Sequence, residues 1–236
     1  MSWTLAGSSA SLIAQTSQEQ ALKDQPLSLA GGLSARYRPA GGESLLVLAH
    51  GAGAGHDHHH MASIADALSG LGISTLRFNF PFMEAGRRRV DSMAVCLDTL
   101  KMALARASEL APGQKLYLGG HSFGGRMASH LAATEPTDVE GLVFFSFPLH
   151  VAKKPDTRRA EHLANLSLPM LFLSGDRDAL ADKNLLTQVT APLPGATLHW
   201  LETADHSFTI LKRTRRTDES VYDEAARITL DWMTDL

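Results

Sequence analysis

Gly120-His121-Ser122-Phe123-Gly124 sets a serine hydroxyl between two glycines, after the apolar run Lys115–Gly119 and before the helical stretch Gly125–Leu131. A serine on such a strand-to-helix turn stands clear of the backbone, and glycines on either side avoid clashes that bulkier residues would make. The helix N-terminus behind it favours negative charge as it develops on an attacked carbonyl. The chemistry this suggests is nucleophilic attack on an acyl group. A serine alone is a poor nucleophile, so the reading requires a general base and an acid that orients it.

Both stand downstream, in the order serine, acid, histidine. Leu168-Pro169 is followed by the buried-strand pattern Met170–Ser174 and then by Gly175-Asp176-Arg177-Asp178. A carboxylate just past the C-terminal end of a parallel strand is placed to hold an imidazole. Asp178 is taken as that acid and Asp176 as the alternative; either could instead cap the helix that starts near Ala181. Thr197–Leu201 reads as a further strand, and the loop after it carries His206, the candidate general base. The expected catalytic set is Ser122, Asp178 and His206.

An oxyanion site completes the scheme. Ser44–Ala49 reads as a strand, and His50-Gly51-Ala52-Gly53-Ala54-Gly55 follows at once. Glycines in such a loop let backbone amides turn toward a ligand. The amides of Ala52 and Phe123 are the candidates, one from this loop and one from the residue after the nucleophile. The loop lacks the Lys-Ser/Thr ending of a phosphate-binding loop, and its spacing fails the dinucleotide pattern. No cofactor is implied.

Two clusters invite other readings. His56-Asp57-His58-His59-His60 looks like a metal-binding tract, but consecutive helical residues point in different directions and cannot close a first shell alone. The tract is read instead as a helix start capped by Asp57, with histidines at a cleft rim or in water, and no metal is assigned. Arg87-Arg88-Arg89 and the other basic runs read as solvated faces. Alternatively, Arg87 and Arg88 approach the cleft and select a carboxylate-bearing or phosphorylated substrate. His121 beside the nucleophile joins them as a candidate substrate contact.

Positioning these groups takes alternating strands and helices. An N-terminal hairpin is expected about Gly31-Gly32, then strands over 45–49, 74–78, 141–147, 170–174 and 197–201 with helices between them. Parallel strands joined by right-handed crossovers bring all the catalytic loops to one sheet edge. The Pro148–Pro169 connection is long enough for a short helix beside the cleft but too short for a lid domain. Residues 1–25 read as an N-terminal extension and 26–236 as one α/β domain. Net charge is −3, which argues against general nucleic-acid binding. No stretch reaches the roughly 18–20 apolar residues that span a bilayer, and the N-terminus makes a poor signal peptide, with no Lys or Arg before Lys23. With Cys96 the only cysteine, a reducing, cytoplasmic setting is expected.

Seven separated blocks carry a family resemblance. They are His50–Gly55, Arg77–Pro81, Glu84–Arg88, Gly119–Arg126, Phe147–His150, Gly175–Asp178 and Ala204–Phe208. Together they resemble the dienelactone-hydrolase-related α/β-hydrolases, and within them the bacterial branch similar to testis-expressed protein thirty. The resemblance implies an α/β-hydrolase fold, a mostly parallel, doubly wound sheet flanked by helices, with no large lid domain. The resemblance is specific for fold and less so for substrate; the triad residues themselves suggest a serine hydrolase of a small ester, thioester or related acyl compound. Dienelactone hydrolase itself has a cysteine where this chain has Ser122, so lactone chemistry does not carry over. Eukaryotic relatives include a scaffold subunit of a chromatin acetyltransferase complex, so a non-catalytic interaction module stands as the alternative.

Overall fold

The computed structural model describes residues 23–236. The extension expected over residues 1–25 therefore lies outside the described residues up to position 22. Eight strands form one sheet: β1 (Gln25–Ser28), β2 (Ser34–Arg38), β3 (Ser44–Ala49), β4 (Ser74–Phe78), β5 (Lys115–His121), β6 (Gly141–Phe145), β7 (Met170–Gly175) and β8 (Ala196–Leu201). Their spatial order is β1-β2-β4-β3-β5-β6-β7-β8. Only the β1–β2 and β2–β4 pairings are antiparallel. All pairings from β4 through β8 are parallel.

Alternation along the strands explains why both faces of the sheet are covered. In β3, Leu45, Val47 and Ala49 enter one buried cluster while Leu46 and Leu48 enter the other. A strand apolar on both sides cannot face water and requires helices above and below. Helices α3 (Met93–Leu110) and α4 (Phe123–Thr134) supply the first layer, while α1 (His59–Gly70) and α6 (Val221–Thr234) supply the second. A short helix α2 (Pro81–Glu84), which the sequence reading did not anticipate, and α5 (Lys183–Thr190) complete the set. Proline at its first position preorganises α2.

The connection after β6 forms a 3-10 helix over Arg158–Asn165, which packs on α4. The short helix expected there exists, but it lines no part of the cleft around Ser122. Its buried Ala160 and Leu163 join the α3/α4 core, and that apolar anchoring draws it away from the sheet edge.

At the start of the described chain, Asp24 clamps two arginines. Arg77 on β4 is fully buried and pairs with Asp24, which also accepts from Arg38 Nε at 2.8 Å. Arg38 reaches Asp66 on α1 as well. Burial of Asp24 works against its ionisation, but the bonds from Arg77 and Arg38 outweigh it and hold its pKa below the ordinary aspartate value. A carboxylate with a lowered folded-state pKa stabilises the fold above the unfolded value and loses that contribution as pH falls. Asp24→Asn should therefore cost about 2 kcal/mol at pH 7, discounted for the partial exposure of Asp24. In urea unfolding, the gap between wild type and variant should close as pH drops below about 4. A gap that does not change with pH would show that the clamp is not electrostatic.

Candidate active site

Ser122 sits at the junction of β5 and α4 with φ 51° and ψ −116°, a conformation that L-residues rarely adopt. Its amide donates to Phe145 O at 3.0 Å and its carbonyl accepts from the Arg126 amide at 3.1 Å, so strand and helix both pin it. The flanking glycines have a steric cause. A Cβ at either Gly120 or Gly124 would come well under 3 Å from the carbonyl oxygen of Ala49. Only bare backbone lets the end of β3 pass that close, and the same approach carries the loop after β3 to the serine.

Three side chains converge there. Ser122 Oγ lies 2.8 Å from His206 Nε2, and His206 Nδ1 lies 2.7 Å from Asp178 Oδ2. The consistent proton arrangement has Nδ1–H donating to the carboxylate and Nε2 accepting from the hydroxyl. The other oxygen of Asp178 accepts from the Leu180 amide at 2.7 Å, and its side chain is wholly shielded from solvent. Asp176 makes no such contact: one of its carboxylate oxygens is buried without a partner among the described residues. Of the two carboxylates the sequence left open, Asp178 is the one beside His206.

His206 is held through its backbone as well. His121 Nε2 donates to the His206 carbonyl at 3.0 Å. Burial pushes the His121 pKa down to about 4, so its ring remains neutral at physiological pH. Asp205 accepts from the Ser207 and Thr209 amides at 2.9 Å each, closing the loop that presents His206. Gly175 permits the acid loop and this loop to touch, since a Cβ there would collide with the Ala204 carbonyl.

Ala52 lines the cleft beside Ser122, and Phe123 supplies the first amide of α4. Among the described residues, neither amide donates to another backbone carbonyl. His50 fixes the loop from behind: its Nδ1 donates to Gly51 O at 2.6 Å and its Nε2 accepts from the Phe80 amide at 3.0 Å. Both ring nitrogens are committed in the neutral form, and burial lowers the pKa to about 4. The sequence reading missed this anchor. Its signal was a histidine at the end of an otherwise apolar strand.

Residues 42–234 match the family model described as alpha/beta hydrolase domain. The chain belongs to that family. Solved alpha/beta hydrolases superpose on it at low identity, which bears on the fold alone. A serine hydrolase without lid from Xanthomonas campestris matches at TM-score 0.68 and 20% identity, over 91% of this chain and 95% of the other. Dienelactone hydrolase from Anabaena variabilis matches at 0.68 and 16%, over 90% and 97%. Est1E from Butyrivibrio proteoclasticus matches at 0.65 and 14%, over 89% and 99%.

Other sequence candidates fall elsewhere in this alpha/beta hydrolase. Arg87 is tied to Asp91 at 2.7 Å, and Asp91 also accepts from the Phe82 amide. Neither Arg87 nor Arg88 lines the cleft, so the expectation that they approach it is not met. Arg87 is instead drawn back to the carboxylate that organises its own loop. His121 does line the cleft, with its Nε2 spent on the His206 carbonyl. The histidine tract divides: His58 caps α1, His59 is exposed, and His60 is buried against Tyr222 with Nδ1 2.9 Å from the phenol oxygen. The cap expected from Asp57 is made by His58, because Asp57 pairs with Arg36 at 2.9 Å.

The conformation of Ser122 yields a stability prediction. A non-glycine residue held in that region costs about 1–3 kcal/mol, partly offset in any glycine replacement by the larger unfolded-state entropy of glycine. Ser122→Gly should raise the unfolding free energy by about 1 kcal/mol despite losing the bond to His206. A drop in the urea midpoint would show that the turn is unstrained.

Proposed function

We propose that the protein is a serine hydrolase acting on a small ester, thioester or related acyl compound. The observation that carries this reading is the relay from Ser122 Oγ to His206 Nε2 and from His206 Nδ1 to Asp178, at 2.8 and 2.7 Å. His206 Nε2 takes the Ser122 proton as Oγ attacks the carbonyl carbon, and Asp178 stabilises the imidazolium and holds its orientation. The amides of Ala52 and Phe123 donate to the oxyanion. The imidazolium then protonates the leaving group, and a water deprotonated by His206 releases the acyl group from Ser122. This scheme uses no metal or cofactor.

The cleft gives the substrate class some shape. It encloses about 460 Å³, within the range of sites for small organic ligands. Its lining includes the glycine loop, Met61, Leu180, Thr209 and the histidines His58, His59 and His60, with no Lys or Arg among the described residues. An uncharged acyl group suits such walls better than a carboxylate-bearing one. An open site with no lid domain suits a small substrate better than a bulky lipid.

The catalytic unit is assigned to 26–236, and the motif blocks favour the bacterial branch resembling testis-expressed protein thirty. With a single cysteine and a mildly acidic balance, we assign it to the cytoplasm, with no nucleic-acid or membrane partner. No helix among the described residues is long and apolar enough to cross a membrane. The rival reading, a non-catalytic interaction module, gains nothing from a nucleophile held at φ 51° or from a carboxylate shielded behind an imidazole.

Hydrolysis of p-nitrophenyl acetate tests the assignment. Ser122→Ala should lower kcat by three or more orders of magnitude with the fold intact by circular dichroism, roughly as for other triad nucleophiles. Undiminished turnover would remove Ser122 from the reaction.

Asp178→Asn should cost roughly ten-thousand-fold, because the wrong imidazole tautomer is then favoured, while Asp176→Asn should stay within about threefold of wild type. Equal losses in the two variants, compared by kcat, would contradict the assigned acid.

A further inference from the structure

Away from the Ser122 cleft, the long connection after β6 and helix α4 enclose a second cavity of about 500 Å³. Arg126, Lys154, Arg158 and Arg159 line it, against a single carboxylate, Asp156. That carboxylate is already taken by Arg158, whose Nε lies 2.6 Å from Oδ2. Among the described residues, Arg126, Arg159 and Lys154 form no ion pair. Unpaired guanidinium groups gathered at one cavity repel each other unless an anion joins them.

Arg126 and Arg159 are held rather than swept through solvent. Arg159 donates to His150 O at 3.1 Å, and the half-buried Arg126 lies 6.0 Å from the Phe123 ring centre. Burial and the nearby Arg159 charge both lower the Arg126 pKa. Lys154 follows a tight turn in which Lys153 adopts φ 63° and the Lys154 amide donates to Val151 O. Two exposed large hydrophobic residues, Met93 and Val151, also line the cavity.

We propose that this cavity binds a small ligand carrying a carboxylate or phosphate group on an apolar body. Arg126 and Arg159 hold the anionic group, Lys154 adds a point charge, and Met93 and Val151 cover the apolar part. The site is separate from the catalytic cleft. The two linings share no residue; His150 lines this cavity and Leu180 the cleft, and the His150 amide donates to the Leu180 carbonyl at 2.9 Å. Binding therefore does not depend on turnover at Ser122.

Calorimetric titration of the full chain at low ionic strength tests the proposal, with phenyl phosphate and phthalate as probes. One of the two should bind saturably with Kd below about 1 mM, and the tighter one identifies the preferred anion. Arg126→Gln combined with Arg159→Gln should weaken it at least tenfold. Arg213→Gln, on a distant exposed basic run, should leave it unchanged, and Ser122→Ala should bind as well as wild type. In amide NMR spectra of the wild-type chain, shifts should centre on residues 126, 150–154 and 159, which holds whether or not the double variant folds. No saturable binding, shifts centred on His206, or an equal loss in Arg213→Gln would overturn the proposal.

Discussion

The close passage of Ala49 against the elbow is the contact on which the site depends. With no side chain at Gly120 or Gly124, the last carbonyl of β3 wedges between β5 and α4. Between those two glycines Ser122 keeps its unusual dihedral angles. The wedge also delivers the Gly51–Gly55 loop to the same spot, where His50 secures it to Phe80 through a neutral imidazole. The Ser122 hydroxyl and the loop bearing the Ala52 amide are thus placed by one packing event rather than by two independent loops. Strain of this kind persists because the sheet on both sides overdetermines it.

The other half of the site is arranged by backbone contacts. The loops bearing Asp178 and His206 touch through Gly175 and Ala204, and the Arg177 amide bonds the Ala204 carbonyl at 3.0 Å. His121, next to Ser122, reaches over to the His206 carbonyl and joins the two halves. The imidazole of His206 is thus oriented by carboxylate and hydroxyl, while the neutral imidazole of His121 fixes its backbone. Burial keeps His121 and His50 uncharged across the physiological range, so their hydrogen-bonding roles do not change with ordinary shifts in pH.

Much of this arrangement was legible in the sequence. Strands apolar on both faces announced a covered parallel sheet, and Ser74–Phe78 was read to its ends. The order Ser122, Asp178, His206 was readable because each follows a strand pattern, and parallel topology collects strand ends at one edge. Asp178 was taken over Asp176 as the residue facing His206, although two residues of one loop differ only in direction and the pattern alone does not separate them. Arg87 and Arg88 misled because charge next to a strand end does not reveal that Asp91 recaptures Arg87. The capping role of His58 over Asp57, and the cationic cavity formed far along the chain from Arg126, depend on tertiary pairing that local pattern does not carry.

The central claim is that Ser122 is an activated nucleophile. It is tested most directly by reacting the purified chain with a fluorophosphonate, measuring intact mass and locating the adduct by peptide sequencing. A single stoichiometric adduct on Ser122, slowed when His206 is replaced by Asn, is the expected result. An unmodified chain, or an adduct on another residue at equal rate, would contradict it.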